Sequence, residues 1–166
     1  MKPYLSVIIP AYNEAKRLPL TLIDIGKHLS KSEFSYEIIV VDNNSTDATS
    51  EIVKRFSHLI NNLKLIRCNV PGKGAAVQKG ILEAGGKIRL FMDADNSTSI
   101  DQFGKMIPYF SEGYDVVIRN KGVIKFFKIV GTKNLRNIKS FNEKWGHRDL
   151  DPNLSVSSNT GADRST

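Results

Sequence analysis

The chain has 166 residues and carries 24 Lys or Arg against 17 Asp or Glu, a formal net charge of +7. This length, with a hydrophobic content of 40%, fits a globular domain with a real core and excludes a disordered or collagenous class. The basic excess is uneven, because residues 1–119 hold 15 basic and 13 acidic side chains whereas residues 120–166 hold 9 and 4. Lys and Arg are not spread over a recognition face with interleaved aromatics, so we expect no nucleic-acid partner.

The cysteine content and the apolar runs bound the cellular setting. A single cysteine, Cys68, excludes an intramolecular disulfide and suits a reducing compartment, and we interpret it as a small buried residue. The first apolar run is too short for a signal peptide, and no apolar stretch approaches the roughly 18 residues of a membrane span. We therefore expect a cytoplasmic protein that is soluble or, at most, peripheral on the cytoplasmic face of a membrane.

Residues 1–119 alternate between short apolar runs and segments with helical periodicity. The apolar runs are rich in β-branched residues and predict strands at residues 5–9, 36–41, 63–68, 88–92 and 114–118. The intervening segments predict helices over residues 15–29, over residues 73–84 and from a cap at residues 45–47 through Phe56. The alternation predicts an α/β fold with a doubly wound, mostly parallel sheet, flanking helices and ligands beyond the carboxyl ends of the strands.

Two aspartates separated by one residue, Asp93 and Asp95, follow the fourth predicted strand. Carboxylates at the end of a buried strand lose hydration, and a cation or a bound ligand would offset that cost. The pattern is typical of a metal site, with a solvated strand exit or a helix cap as the alternative.

Polar clusters also follow the first three predicted strands. They are Pro10-Ala11-Tyr12-Asn13-Glu14, Asp42-Asn43-Asn44-Ser45-Thr46-Asp47 and Pro71-Gly72-Lys73-Gly74-Ala75-Ala76. Each cluster has a structural alternative, since Asn13 and Glu14 could cap the first helix, Ser45 and Asp47 the second, and the glycines could form an ordinary turn. Four polar clusters at one rim of a parallel sheet nevertheless favour a shared ligand site.

The chemistry of these clusters suits a nucleoside diphosphate. Asp42 could accept a hydrogen bond from a base edge, and Tyr12 offers an aromatic face near the base. Gly72 and Gly74 let the backbone approach closely, while Lys73 and the start of a helix favour a phosphate. The spacing is that of neither a Walker loop nor a Gly-x-Gly-x-x-Gly loop, so kinase and dehydrogenase functions are disfavoured.

A divalent cation would complete this site. Held by Asp95, with Asp93 at the sugar or hydrogen-bonded to the metal's ligands, it would bridge the two phosphates and neutralise charge on the leaving diphosphate.

In order and spacing the motifs resemble family 2 glycosyltransferases with the GT-A fold, closest to the branch of dolichyl-phosphate β-glucosyltransferases and polyprenyl-phosphate glycosyltransferases. The likeness rests on residues 6–14, Arg17-Leu18-Pro19, residues 36–42, Ser45-Thr46-Asp47, residues 72–77 and Asp93-Ala94-Asp95 with Ser97-Thr98. It implies uridine contacts from Pro10, Ala11, Tyr12, Glu14 and Asp42, and base and phosphate contacts from Gly72, Lys73 and Gly74. It also implies that Asp93 and Asp95 form a catalytic DxD motif for Mn²⁺ or Mg²⁺, with Asp93 touching the nucleotide sugar.

The resemblance further implies a metal-assisted, inverting hexosyltransferase that moves a sugar, with glucose expected, from a UDP-sugar to polyprenyl or dolichyl phosphate. Such an acceptor is already anionic, so the lack of an obvious carboxylate base does not argue against it. Four alternatives stay open: a family member that uses a cell-envelope polysaccharide or another hydroxyl acceptor, a truncated nucleotide-sugar-binding module with little activity, a nucleotidyltransferase and an inactive membrane-docking module.

The chain departs from the family pattern in three places, of which the third is that residues 119–166 show no recognisable acceptor-side half. Asn43 and Asn44 stand where relatives usually have Asp-Gly or Asn-Gly, and because Asn tolerates the left-handed conformation we expect the turn to survive. We expect the likeness to end near residue 118, where the usual Gly-Ser-Arg is replaced by Arg119-Asn120-Lys121.

Residues 1–119 are thus predicted to form a nucleotide-sugar-binding domain, 120–152 a basic, partly amphipathic extension and 153–166 a disordered tail. Apolar side chains of residues 123–138 fall on one helical face beside lysines. This pattern predicts either a peripheral membrane contact through residues 120–139 or a helix and loop that cover a sheet edge.

Overall fold

The computed structural model describes residues 2–95, 100–111, 116–119 and 124–127. Its elements, in chain order, are β1 (Leu5–Ala11), α1 (Leu18–Leu29), β2 (Tyr36–Asp42), α2 (Thr49–Phe56), β3 (Leu63–Arg67), α3 (Lys73–Glu83), β4 (Ile88–Phe91), a 3₁₀ helix (Ile100–Met106), α4 (Ile107–Ser111), β5 (Val116–Arg119) and β6 (Ile124–Phe127). Every strand and helix that the sequence pattern predicts before residue 92 is present. The 3₁₀ helix and α4 were not predicted.

Among the described residues, six strands form one sheet in the order β3-β2-β1-β4-β6-β5. β1 pairs in parallel with β2 and β4, and β2 pairs in parallel with β3, so the carboxyl ends of these four strands lie at one edge. β6 pairs antiparallel with both β4 and β5. The sheet has helices on both faces, which confirms the predicted α/β, doubly wound, mostly parallel architecture.

The prediction of a helical face is wrong for Ile124–Phe127, because these residues form β6. A stretch of four residues with three apolar side chains fits a strand as well as a helix, and pairing with β4 and β5 decides between them. The remainder of the predicted amphipathic segment, residues 128–138, and the predicted tail, residues 153–166, lie outside the described residues.

The core lies on both faces of the sheet, as the alternation of side chains along β1 requires. Val7 and Ile9 pack on the face covered by α1, α2 and the 3₁₀ helix, whereas Ile8 packs on the face covered by α3. All three side chains are fully buried, and each burial stabilises the fold by about 2 kcal/mol. Cys68 is 5% exposed and packs with the Ile8 cluster, which confirms its interpretation as a small core residue.

Helix α3 lies unusually close to the sheet. A Cβ atom at Gly80 would collide with the side chains of Ile8 and Val41, so glycine is needed for this approach. The close packing fixes the axis of α3 against β1 and β2. The first residue of α3, Lys73, is thereby held at the edge where the parallel strands end.

Candidate active site

A cleft of about 680 Å³ opens at the carboxyl ends of β1, β2 and β4. The predicted site residues that line it are Pro10, Ala11, Tyr12, Glu14, Gly72, Lys73, Asp93 and Asp95. Two other predicted site residues, Asp42 and Gly74, are not part of the lining. The structure thus brings residues of all four polar clusters together at one rim, as their positions after parallel strands predict.

The loop between β1 and α1 carries Tyr12, whose side chain is 59% exposed at the cleft. Glu14, next but one along the chain, accepts two hydrogen bonds of 2.7 Å from the Arg17 guanidinium. Helix α1 begins after Arg17 without a side-chain cap, so neither Asn13 nor Glu14 has the capping role that was the alternative for them.

The β1–α1 loop is bonded to the loop between β2 and α2. The backbone N–H of Glu14 donates to Thr49 Oγ1 at 2.9 Å, and that of Ala15 donates to Asp47 Oδ2 at 3.1 Å. Asn13, at a φ of 53°, accepts the backbone N–H of Thr46 on its Oδ1 at 2.8 Å. These bonds fix the Tyr12 loop against a second loop and leave the aromatic ring free to face a ligand.

Asp47 also bonds to the start of α2. Its Oδ1 accepts the backbone N–H of Thr49, the first residue of α2, at 3.0 Å. The N-cap of α2 is nevertheless Ala48, without a side-chain cap, so neither Ser45 nor Asp47 is the cap of the second helix. Burial acts to raise the pKa of Asp47, but hydrogen bonds from Thr49 and Ala15 outweigh it and hold the pKa below its usual range. The same hydrogen bonds that join the two loops thus favour the charged form of Asp47.

Asp42 lies beneath the cleft rather than in its wall. It is 5% exposed, and its carboxylate accepts the backbone N–H of Ser45 at 3.0 Å and the hydroxyl of Ser50. Burial alone would raise the pKa of Asp42, but these hydrogen bonds and the charge of Arg67 lower it overall. Asp42 is thus a buried anion that organises the β2–α2 loop.

Gly72 and Lys73 bring a cation to the cleft. Gly72 has a φ of 112°, a conformation that L-residues with side chains rarely adopt, and it directly precedes α3. Lys73 Nζ lies 2.5 Å from Asp93 Oδ1, and the two side chains are 62% and 39% exposed. The Asp93 side chain as a whole is partly exposed although its Oδ1 is covered, and the Lys73 side chain is mostly exposed, so the pair is positioned to exchange partners with a ligand in the cleft.

The donor set at Asp93 and Asp95 suits a hard divalent cation. Both carboxylates line the cleft, and Mg²⁺ in such sites is held by one or two carboxylates together with substrate phosphates and water. Nowhere in the described ranges do three His, Cys, Asp or Glu residues form a metal-binding group. The residues present therefore fit a metal whose coordination is completed by a diphosphate.

Six further residues line the cleft: Arg17, Asn43, Asn44, Pro71, Ala76 and Ala94. Asn44 has a φ of 60°, which confirms the expectation that asparagine supplies the left-handed conformation of this turn. Asn43 is 7% exposed and hydrogen-bonds three backbone atoms that lie 25 to 29 residues away in sequence. No local sequence pattern reveals such distant partners.

The sequence matches the glycosyl transferase family 2 domain over residues 6–159. The match continues beyond residue 118, so the expectation that the likeness ends there is wrong for the family as a whole. A dolichyl-phosphate beta-glucosyltransferase of Trichomonas vaginalis is 37% identical over 145 residues, which cover 82% of this chain and 42% of that protein. Counterparts from Dictyostelium discoideum and Homo sapiens are 41% and 35% identical and cover 62% and 61% of this chain. The chain spans about a third to two fifths of the length of these relatives.

Solved structures agree with the sequence relatives. Residues 1–349 of Staphylococcus aureus TarS superpose with a TM-score of 0.54 at 28% identity, covering 69% of this chain and 34% of TarS. The same protein in complex with UDP gives a TM-score of 0.53, and in complex with UDP-GlcNAc 0.50. Within the described ranges, no helix is both long and apolar enough to cross a bilayer. The chain belongs to glycosyl transferase family 2, and its described part has the GT-A fold.

Proposed function

We propose that this chain binds a UDP-sugar in the cleft and forms the donor-binding part of an inverting hexosyltransferase that transfers glucose to dolichyl or polyprenyl phosphate. The observation that carries the proposal is the Lys73–Asp93 ion pair, which lies with Asp95 and Tyr12 in one cleft at the strand ends. The names of the curated relatives support glucose and dolichyl phosphate, and the UDP complex of TarS supports a uridine nucleotide.

The predicted site residues in the lining have distinct roles in this proposal. The exposed ring of Tyr12 stacks on the base, with Pro10 and Ala11 forming the wall beside it. Lys73 releases Asp93 and binds the diphosphate as a point charge. Gly72 adopts a positive φ that a residue with a side chain would reach only with strain, and the absence of a side chain lets the diphosphate approach the backbone.

Three of the predicted nucleotide contacts are paired with another residue or lie outside the cleft lining, so their roles are more indirect. Glu14 meets the nucleotide with its charge already paired to Arg17. Asp42 supports the base through the β2–α2 loop, whose amide and hydroxyl groups it bonds. Gly74 does not line the cleft, but it follows Lys73 and leaves open space where a Cβ would stand, into which the bound diphosphate would extend.

Asp93 and Asp95 would hold Mn²⁺ or Mg²⁺, with Asp93 also next to the sugar. Bound there, the cation would supply positive charge to the departing diphosphate. The protein's own contribution is to place the Lys73 ammonium, and the two carboxylates that would hold the cation, beside the leaving diphosphate, so that positive charge is available there. A phosphate acceptor approaching from the opposite side is already anionic and needs no general base.

The acceptor side and the site of action are part of the same proposal. Dolichyl phosphate lies in a membrane, so the enzyme would work as a peripheral protein, and a basic stretch such as residues 120–139 would favour an anionic surface. We infer action at the cytoplasmic face, where UDP-sugars would be the donors. Liposome sedimentation of the unaltered chain and of a variant with Lys133, Arg136 and Lys139 changed to Gln, which keeps β6 in place, tests this contact separately from donor binding.

Calorimetry with UDP-glucose and Mn²⁺ tests donor binding directly. We expect heat of binding for the unaltered chain and a loss of affinity of about tenfold or more for Asp95→Asn, since charge-assisted contacts are lost. Asp101→Asn is the matched control, because Asp101 is an exposed aspartate of the 3₁₀ helix and does not line the cleft. The proposal would be contradicted if the unaltered chain gave no heat of binding, or if Asp95→Asn bound UDP-glucose as tightly as the unaltered chain.

A second donor, UDP-GlcNAc, is favoured by the TarS complex that contains it. Product analysis with radiolabelled UDP-glucose and UDP-GlcNAc, each with dolichyl phosphate, separates the two. Label that enters a lipid product from UDP-glucose supports the first assignment, and label only from UDP-GlcNAc supports the second. Binding of both donors without any transfer identifies the chain as a nucleotide-sugar-binding module.

A further inference from the structure

Asn43 occupies a buried position between the two halves of the cleft. It directly follows β2, is 7% exposed, and its backbone N–H donates to the carbonyl of Ala11 at 2.9 Å. It is thus bonded to Ala11, the last residue of β1, which directly precedes Tyr12. Its side chain points the other way along the rim, towards the segment that connects β3 to α3.

The carboxamide of Asn43 bonds that segment at three points. Its Nδ2 donates to the carbonyls of Cys68 at 3.0 Å and Val70 at 2.6 Å. Its Oδ1 accepts the backbone N–H of Gly72 at 2.8 Å. All three partners are backbone atoms of residues 68–72, so Asn43 makes most of the side-chain bonds to this segment, beside one from Asn44 Nδ2 to the Asn69 carbonyl at 3.2 Å.

Only a carboxamide meets this set of partners. Two carbonyl oxygens need two donated hydrogens, and the Gly72 N–H needs an acceptor, which is the inventory of Asn. A carboxylate of the same shape has no hydrogen to donate at pH 7 and would face two carbonyl oxygens with like partial charge. Asp42, its neighbour, is already a buried anion, which adds to the repulsion.

The bonded segment ends at Lys73. Gly72, which Asn43 holds, is the residue immediately before α3, and Lys73 reaches from there to Asp93. We propose that Asn43 is a positioning residue for the donor diphosphate, acting through Lys73. The proposal rests on the proposed function, because it assumes that Lys73 meets the diphosphate of a UDP-sugar.

Binding of UDP and of uridine by the Asn43→Asp variant distinguishes this role from general damage. We expect the affinity for UDP to fall about tenfold, as for loss of buried hydrogen bonds, while the affinity for uridine changes less than about twofold. Asn69→Asp is the control for an added charge in the same segment. Because Asn43 itself lines the cleft, Asn43→Ser, which adds no charge there, should also weaken UDP binding more than uridine binding. Equal losses for UDP and uridine would overturn the role in diphosphate binding.

A double-mutant cycle tests the route through Lys73. In a Lys73→Met background, Asn43→Asp should weaken UDP binding by less than about twofold, because the group it positions is already gone. Additive losses would show that Asn43 acts independently of Lys73. Asn43→Ser removes the amide without adding charge and gives the same comparison should Asn43→Asp not fold, which circular dichroism checks.

Cys68 gives a readout that needs no ligand. It is the chain's single cysteine and is 5% exposed, and Asn43 bonds its own carbonyl and that of Val70. Asn43→Ser should raise its rate of reaction with a thiol reagent about tenfold, whereas Asn69→Asp should leave it unchanged. Unchanged labelling would overturn the clamp, by which we mean the hold of the Asn43 carboxamide on residues 68–72, whether or not UDP binds. Raised labelling in a chain that binds neither UDP nor UDP-glucose would show that the clamp exists and that the proposed function, and with it the donor role of Asn43, is wrong.

Discussion

Lys73 and Asp93 form an ion pair across the cleft, with 2.5 Å between Lys73 Nζ and Asp93 Oδ1. The pair joins the start of α3 to the segment after β4, and both residues are predicted ligand contacts. Its partly exposed setting means that it adds little to the free energy of unfolding, about 0 to 1 kcal/mol. We therefore expect its value to lie in ligand binding.

Lys73→Met should weaken UDP binding about tenfold or more while the melting temperature stays within about 2 °C, because the lost contacts are with the ligand. Lys79→Met is the matched control, since Lys79 lies on the same helix in an exposed pair with Glu83 and does not line the cleft. It should leave both UDP affinity and melting temperature unchanged. Calorimetry and thermal unfolding measure the two quantities. Equal affinity losses in both variants would contradict the assignment of Lys73 to the diphosphate.

The same substitution should act in the opposite direction on Mn²⁺ in the absence of nucleotide. The ammonium of Lys73 repels a dication and occupies one oxygen of Asp93, so its removal should strengthen Mn²⁺ binding about threefold or more. Paramagnetic relaxation of water protons measures this affinity without any assay of activity. Weaker Mn²⁺ binding in Lys73→Met would show that Asp93 is not a metal contact.

Asp47 should hold the Tyr12 loop in place from outside the cleft. Asp47→Ala removes the bonds to Ala15 and Thr49, and we expect a loss of about 1 kcal/mol in the free energy of unfolding. UDP affinity should fall as well, because the loop that carries Tyr12 loses an anchor. Urea unfolding and calorimetry check these two effects, with Glu51→Ala as an exposed control in the first turn of α2. Unchanged UDP affinity in a destabilised Asp47→Ala protein would limit Asp47 to a structural role.

The two glycines beside Lys73 should differ sharply in their tolerance of a side chain. Gly72→Ala forces alanine into a φ of 112°, which costs about 1 to 3 kcal/mol. A Cβ at Gly74 meets nothing within 4 Å, so Gly74→Ala should fold normally and gain helix propensity of up to about 1 kcal/mol. If the diphosphate occupies the space beside Gly74, Gly74→Ala will lower the affinity for UDP while it leaves the affinity for uridine unchanged. Urea unfolding and paired titrations with UDP and uridine give both answers.

The rim of the sheet was predictable from the sequence because parallel strands place their carboxyl ends together. Tyr12, Lys73, Asp93 and Asp95 therefore meet as their positions after predicted strands require. The left-handed turn at Asn44 was predictable for a local reason, the tolerance of asparagine for positive φ.

Features that depend on distant partners were not predictable. Asn43 gains its importance from backbone atoms of residues 68–72. Asp42 is buried with its carboxylate bonded to Ser45 and Ser50 and does not line the cleft. The four residues of β6 have apolar spacing that suits either a helix or a strand, and only pairing with β4 and β5 makes them a strand. Local patterns carry no information on such pairings.

At the opposite end of the sheet, the buried carboxylate of Glu37 should make stability depend on pH. Glu37 is 5% exposed and accepts hydrogen bonds from Ser6 Oγ at 2.6 Å, the Gly85 N–H at 2.7 Å and Lys64 Nζ at 2.8 Å. Burial acts to raise the pKa of Glu37, but the bonds from Lys64, Ser6 and Gly85 outweigh it and lower the pKa overall.

A lowered pKa in the folded state means that the unfolded state binds the proton first as the pH falls. The stability that Glu37 contributes is thus fully present above the unfolded value of about 4 and is lost as the pH falls through the lower folded value. Glu37→Gln should cost about 2 kcal/mol at pH 7, because an amide can replace only part of these hydrogen bonds. The cost should shrink towards pH 3, so the unfolding free energy of the variant should change less with pH than that of the unaltered chain. Urea unfolding from pH 7 to pH 3 measures this, with the exposed Glu33→Gln as the control. Parallel curves for Glu37→Gln and the unaltered chain would show that the folded and unfolded pKa values of Glu37 do not differ.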